Sequence, residues 1–162
     1  MKTAVDTNIL FDLLAADPNI ATASLQALSQ AMSVGPVVIC PVVYAELAAG
    51  FPGHEEVALF VHDLRLHLEA FTTEALYQAG SAWKRYTSRR GRVVQCPRCG
   101  QTASLQCSVC QAPLTWRQHI IPDFLVGGHA LQQADRLLTR DYGYYHLYFP
   151  TLQLVGPDSL VP

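Results

Sequence analysis

Four acidic residues sit where an α/β chain can put carboxylates to chemical use. Asp6 ends the strand-like run KTAVD, and Asp141 ends the run RLLTRD. Glu46 follows the β-branched run Val37 to Val43 by a few residues, and Asp123 stands just after Pro122, at the opening of a helix-like stretch. Ligands of open α/β sheets gather outside the carboxyl ends of the strands, and the positive end of a helix dipole favours an anion. All four acids can therefore converge at one edge of the fold. Clustered carboxylates repel, and each raises its neighbours' pKa unless a cation intervenes. An all-oxygen donor set suits a hard ion, Mg²⁺ or Mn²⁺. Such ions, paired at roughly 3.5–4 Å, activate water and stabilise a leaving oxygen in phosphodiester cleavage. Taken singly, each acid has a plainer use: an Asp near a helix start is commonly a cap, and Glu46 alone is a solvated acid. Their coincidence at matching ends of their elements favours the metal site.

A second constellation is CPRCGQTASLQCSVC, which carries Cys96, Cys99, Cys107 and Cys110. Two CxxC pairs in a chain without an export signal point to a tetrahedral metal ion rather than to disulfides. Four thiolates fill the coordination of Zn²⁺ and leave no open position, so the expected zinc site is structural. The seven residues between the pairs suggest a compact hairpin, whose folding energy comes from the metal. The expectation is an inserted zinc-ribbon subdomain over residues 93–119. Redox chemistry by one CxxC leaves the second pair unexplained. Cys40, in the apolar run VVIC, reads as a small core residue. His119 could replace a thiolate, but four cysteines suffice; His129 reads as a core or surface helix residue.

The elements that must position these groups alternate. Lys2 to Asp6 reads as a short buried strand ending in an acid, with a helical turn after it, and Ala21 to Met32 as an amphipathic helix. Val37 to Val43 is a central strand with Pro41 marking its end, and Tyr44 to Ala49 a helical turn. Glu55 to Leu66 is a helix and Leu68 to Phe71 a short edge strand. A further helix begins at Thr73, with an inward stripe of Ala75, Ala79, Ala82, Trp83 and Tyr86. Pro122 suits the first turn of a helix to about Gln133. Gly127 and Gly128 inside it cost roughly 1 kcal/mol each relative to alanine, so close packing must compensate. Arg136 to Arg140 is a strand, Tyr142 to Tyr148 a helical turn, and Leu152 to Val155 the last strand. The pattern predicts an α/β three-layer sandwich on a mainly parallel sheet, one domain spanning residues 1–162.

Composition narrows the field. Half of the 162 residues are hydrophobic and the formal net charge is −2, which excludes a disordered or nucleic-acid-coating tail. No apolar run reaches the ~18 residues of a membrane span, and Asp6 and Asp12 interrupt any signal-like segment, so a soluble cytoplasmic protein is expected. The charge is uneven: Lys84, Arg85, Arg89, Arg90, Arg92, Arg98 and Arg117 stand with no acid among them, against all 13 acids elsewhere. An acidic body with one basic segment suits a polyanionic partner, although a solvated helix face followed by a cationic turn has the same charges.

The stretches AVDTNILFDLL, VVYAELAAG and IPDFLVGGHALQQADRLLTRDYGYYHLYFPTLQLV together resemble PIN domains, and in particular VapC-type toxin ribonucleases. The resemblance covers nearly the whole chain except the cysteine insert. It implies that Asp6, Glu46, Asp123 and Asp141 are metal-binding acids, with Asn8 and Thr139 as polar helpers. A local turn cap for Asn8 and a strand-end hydroxyl for Thr139 remain equal alternatives. It further implies metal-dependent cleavage of RNA, neutralisation by a small antitoxin, and a homodimer. The insert departs from ordinary VapC-like chains; a zinc ribbon beside a PIN domain is also similar to certain ribosome-assembly endonucleases, where it follows the nuclease. Arg89, Arg90, Arg92 and Arg98 are expected to grip RNA backbone from the insert, with a structural staple or an antitoxin-docking surface as alternatives. Trp116, Tyr86 and Tyr142 could stack on bases. Two other functions stand beside the toxin: an RNA maturation or quality-control nuclease without antitoxin, and a non-catalytic RNA- or protein-binding module.

Overall fold

The computed structural model describes residues 1–15, 17–88, 94–95, 102–103, 105–106, 108–111, 113–114 and 121–157. In chain order the elements are β1 (Thr3–Val5), α1 (Thr7–Leu14), α2 (Pro18–Val34), β2 (Val37–Ile39), α3 (Pro41–Ala48), α4 (His54–Asp63), β3 (His67–Leu68) and α5 (Thr73–Ser88). Four two-residue strands follow: β4 (Val94–Gln95), β5 (Thr102–Ala103), β6 (Leu105–Gln106) and β7 (Pro113–Leu114). The chain returns with α6 (Ile121–Gln133), β8 (Arg136–Leu138), α7 (Tyr142–Tyr148) and β9 (Leu154–Val155).

Five strands form one sheet in the order β3-β2-β1-β8-β9, and every pairing is parallel. This is the expected α/β architecture, with helices flanking a parallel sheet. β1 lies between β2 and β8 in register Ala4↔Val38 and Ala4↔Leu137, so its carboxyl end sits beside the ends of both neighbours. Asp6 N–H donates to Leu138 O at 3.0 Å, extending the ladder one step past the strand. The central strands are apolar because helices cover both faces: Val5, Val38, Ile39, Leu137 and Leu138 are almost fully buried.

Several boundaries differ from the sequence expectation. The Val37–Val43 run divides: β2 stops at Ile39, and Pro41 opens α3 at its first turn, where the missing N–H costs nothing. The helical turn expected at Tyr44–Ala49 is thus the second half of an eight-residue helix. The strands expected at Arg136–Arg140 and Leu152–Val155 shorten to Arg136–Leu138 and Leu154–Val155. The insert holds two antiparallel strand pairs, β4 with β5 and β6 with β7, rather than the single hairpin expected.

The paired glycines of α6 have the close neighbours that their helix cost demands. A Cβ on Gly128 would lie 2.5 Å from the Ala75 carbonyl oxygen and 3.0 Å from Ala79 Cβ, and one on Gly127 would strike the Phe149 ring. α6 therefore packs backbone-close against α5.

Candidate functional site

Asp6 occupies the N-cap position of α1, yet its side chain makes no capping bond. Instead Asp6 Oδ2 accepts from Thr139 Oγ1 at 2.7 Å and from Asn8 Nδ2 at 2.8 Å. Asn8 Nδ2 also reaches Thr139 Oγ1 at 3.1 Å, and the Thr139 hydroxyl accepts Asp141 N–H at 3.0 Å. Asn8 Oδ1 takes the Arg140 N–H at 3.3 Å. Asn8 and Thr139 are thus partners of the Asp6 carboxylate, beyond any local turn or strand-end role. Thr139 is fully buried and Asp6 half-buried, so the network is directional and largely shielded from water.

Glu46, on the second turn of α3, accepts a hydrogen bond from Thr7 Oγ1, the hydroxyl of the residue after Asp6. Asp141 caps α7, its Oδ1 accepting Tyr144 N–H at 3.3 Å, and it is exposed. The plain capping role and a place in the acidic group coexist there, because a carboxylate has a second oxygen. Asp123 is the third residue of α6, inside the first turn rather than at the cap, and half-buried.

The electrostatics draw these acids together. Burial pushes the Asp6 carboxyl up from its ordinary 3.8 to about 6; the neighbouring Asp123 adds to the rise, while hydrogen bonds from Thr139, the Thr7 N–H and Tyr145 oppose it. The hydroxyls of Tyr144 and Tyr145 are pushed above their ordinary range, first by burial and then by the combined negative field of Asp6, Asp123 and Asp141. Three acids from three distant chain segments therefore act on the same two phenols. Glu46 joins at one remove, through Thr7. No three His, Cys, Asp or Glu side chains among the described residues stand near enough to share one ion. The donor chemistry nevertheless suits a hard divalent cation: every candidate ligand is a carboxylate oxygen, and Asp6, raised mainly by burial, also feels the charge of Asp123.

Of the expected zinc ligands, Cys110 is described, exposed and free, in the turn of residues 108–110. Cys96, Cys99 and Cys107 lie outside the described residues, as do Arg89, Arg90, Arg92, Arg98, Trp116 and His119. Cys40 is buried, as expected, and burial raises its thiol pKa. Tyr86 belongs to an aromatic cluster, with ring centroids 5.6 Å from Trp83, 5.4 Å from Phe124 and 5.7 Å from Tyr148. Arg85 donates to the Tyr148 carbonyl at 2.7 Å, which ties the end of α5 to α7. His129 is a core residue, edge-on to Phe71 with its Nε2 3.6 Å from Glu69 Oε2.

Sequence reasoning overlooked Asp12. It is 4% exposed, and its carboxylate meets Arg140 Nη2 at 2.8 Å and Ser24 Oγ at 2.5 Å. The available signal was its phase: Ile9, Leu10 and Asp12 share the inward face of α1, and a buried acid needs a cation.

A model of the PIN domain family matches residues 3–150, and the chain belongs to that family. Among solved structures it is similar to VapBC-1 from nontypeable Haemophilus influenzae, with a TM-score of 0.62 and 18% identity over 97% of this chain and 98% of that one. It is similar to VapBC2 from Rickettsia felis, solved with a promoter DNA fragment, with a TM-score of 0.61 and 17% identity over 96% and 98% of the two chains. FitAB bound to a DNA fragment gives a TM-score of 0.58 and 15% identity over 96% and 94%. These likenesses are likenesses of fold. A methionine–tRNA ligase from Methanosarcina mazei is 26% identical over 144 residues, which is 88% of this chain; the chain spans only 20% of that enzyme's length. Among the described residues no helix is long and apolar enough to cross a membrane.

Proposed function

We propose that the chain is a metal-dependent endoribonuclease, the toxin of a toxin–antitoxin pair, acting in the cytoplasm. The observation that carries the reading is the shared field of Asp6, Asp123 and Asp141 at the carboxyl edge of the parallel sheet, with Asp6 oriented by Asn8 and Thr139. Membership of the PIN domain family and likeness to VapBC and FitAB chains support it. Asp6, Glu46, Asp123 and Asp141 would hold Mg²⁺ or Mn²⁺, which when bound supplies water activation and neutralises charge at the scissile phosphate. The chain's own residues prepare that role. Thr139 and Asn8 hold one oxygen of Asp6 and so orient its carboxylate. Tyr144 and Tyr145, both buried, stand within the field of Asp6, Asp123 and Asp141.

The reading extends to a small antitoxin partner and a homodimer; likeness to VapBC and FitAB structures supports the antitoxin. Structural zinc held by Cys96, Cys99, Cys107 and Cys110 fits the insert. Cys96 and Cys99 fall in the sequence joining the paired strands β4 and β5, while Cys107 and Cys110 fall in that joining β6 and β7. One CxxC in each of two strand connections is a pattern that four thiolates around one ion would unite. The insert, residues 93–119, would then present Arg89, Arg90, Arg92 and Arg98 to RNA phosphates.

The test is cleavage of single-stranded RNA by purified protein with Mn²⁺, beside an Asp6→Asn variant. Cleavage by the parent alone is expected, and equal cleavage by both would expose a contaminating nuclease. Growth arrest on expression, relieved by Asp123→Asn, separates a toxin from a maturation nuclease. A protein that binds RNA yet never cleaves it is a binding module.

A further inference from the structure

Arg140 is joined to α1 twice. Its guanidinium Nη2 meets Asp12 Oδ1 at 2.8 Å, and its own N–H donates to Asn8 Oδ1 at 3.3 Å. The second oxygen of Asp12 accepts from Ser24 Oγ of α2 at 2.5 Å, so both carboxylate oxygens are committed. Asp12 and Ser24 are almost fully buried, whereas the Arg140 side chain keeps 43% of its exposure. An ion pair of this kind gains little net stability, because desolvating the carboxylate offsets the attraction, but its geometry is stringent. The residue so fixed lies between Thr139, which bonds Asp6, and Asp141.

We propose that Ser24, Asp12 and Arg140 form a positioning brace that clamps the β8–α7 connection onto α1 and so sets the spacing between Asp6 and Asp141. None of the three touches the acids through its side chain. The brace acts through Asn8 Oδ1 and the main chain of Arg140. Its effect on turnover rests on the nuclease reading, whereas its effect on local order does not. The rival role for Arg140 is direct contact with a substrate phosphate, since it also lines a recess of about 300 Å³ with Asn19, Ile20, Ala23, Ser24 and Pro157.

Two variants test the brace. Asp12→Asn removes the charge that holds the guanidinium. Arg140→Lys keeps the cation but loses the planar donor fork, and is the readout should Asp12→Asn fail to fold. Amide hydrogen exchange in the full chain is followed by mass spectrometry or NMR. The amides of Arg140, Asp141 and Tyr144 should exchange at least tenfold faster in the variants, with those of β1 and α5 unchanged. Unaltered exchange at the three amides, or equal acceleration throughout the chain, would overturn the brace. In an RNA cleavage assay with Mn²⁺, kcat should fall about tenfold while KM and its salt dependence hold. A raised KM with unchanged kcat would assign Arg140 to the substrate instead. Should the parent fail to cleave RNA, the nuclease reading falls and the exchange data alone decide the brace.

Discussion

Replacing Asp6 by Asn should change how stability depends on pH in a way that reports the buried carboxyl directly. With its pKa at about 6 against an ordinary 3.8, Asp6 keeps a proton in the folded chain that the unfolded chain has already released. Between those values the native state binds more protons, so stability falls as pH rises through the window. The difference of 6 − 3.8 = 2.2 pH units, at 1.36 kcal/mol each, amounts to about 3 kcal/mol. Asn does not titrate. Any cost of rearranging the bonds from Thr139 and Asn8 is a constant offset across pH. Urea unfolding of parent and variant, in buffers freed of Mg²⁺ and Mn²⁺, gives the comparison at steps from pH 4 to pH 7. The stability of the variant relative to the parent should rise by most of this amount, between about 2 and 3 kcal/mol, across the series. A difference that stays flat would mean that Asp6 is well solvated, and would remove the reason for expecting a cation beside it.

Gly128→Ala should destabilise the chain by about 1–3 kcal/mol through overpacking against the Ala75 carbonyl and Ala79, partly offset by helix propensity worth about 1 kcal/mol; an unchanged urea midpoint would show that α5 and α6 do not pack so closely. Burial lowers the pKa of His129 below 6.5, so the native chain resists protonation there and loses stability as pH falls through and below that value. His129→Leu should flatten this acid limb relative to the parent, and an undiminished limb would place its source elsewhere. Elemental analysis of the purified chain should find one zinc per chain, with little remaining in Cys110→Ser; a metal-free parent would dismiss the zinc proposal.

Much of the architecture was legible because it depends on local patterns. Short β-branched runs separated by helical periodicity announce a parallel sheet, and the strand carrying Asp6 could be placed from five residues. Pro41 was ambiguous for a physical reason: it ends a strand and opens a helix equally well, and the apolar Val42 and Val43 suit either. The partners of Asp6 were only half visible. Asn8 and Thr139 could be nominated, but their bonds to the carboxylate cross 131 and 133 positions of chain, and no local pattern records such a meeting. Asp12 was hidden more deeply, since its cation lies far downstream and its hydroxyl donor sits on a different helix. Asp141 shows the opposite difficulty, because capping and ligation ask for the same residue at the same place.

The claim that four distant carboxylates serve one divalent ion is tested most directly by titrating Mn²⁺ into the ion-free protein, followed by calorimetry or by the spin resonance of free Mn²⁺. The parent should take up the ion saturably, and Asp6→Asn and Asp123→Asn should each weaken it at least tenfold, with Glu46→Gln and Asp141→Asn weakening it less. Equal affinity in the parent and all four variants would contradict the account, whatever else the protein proves to bind.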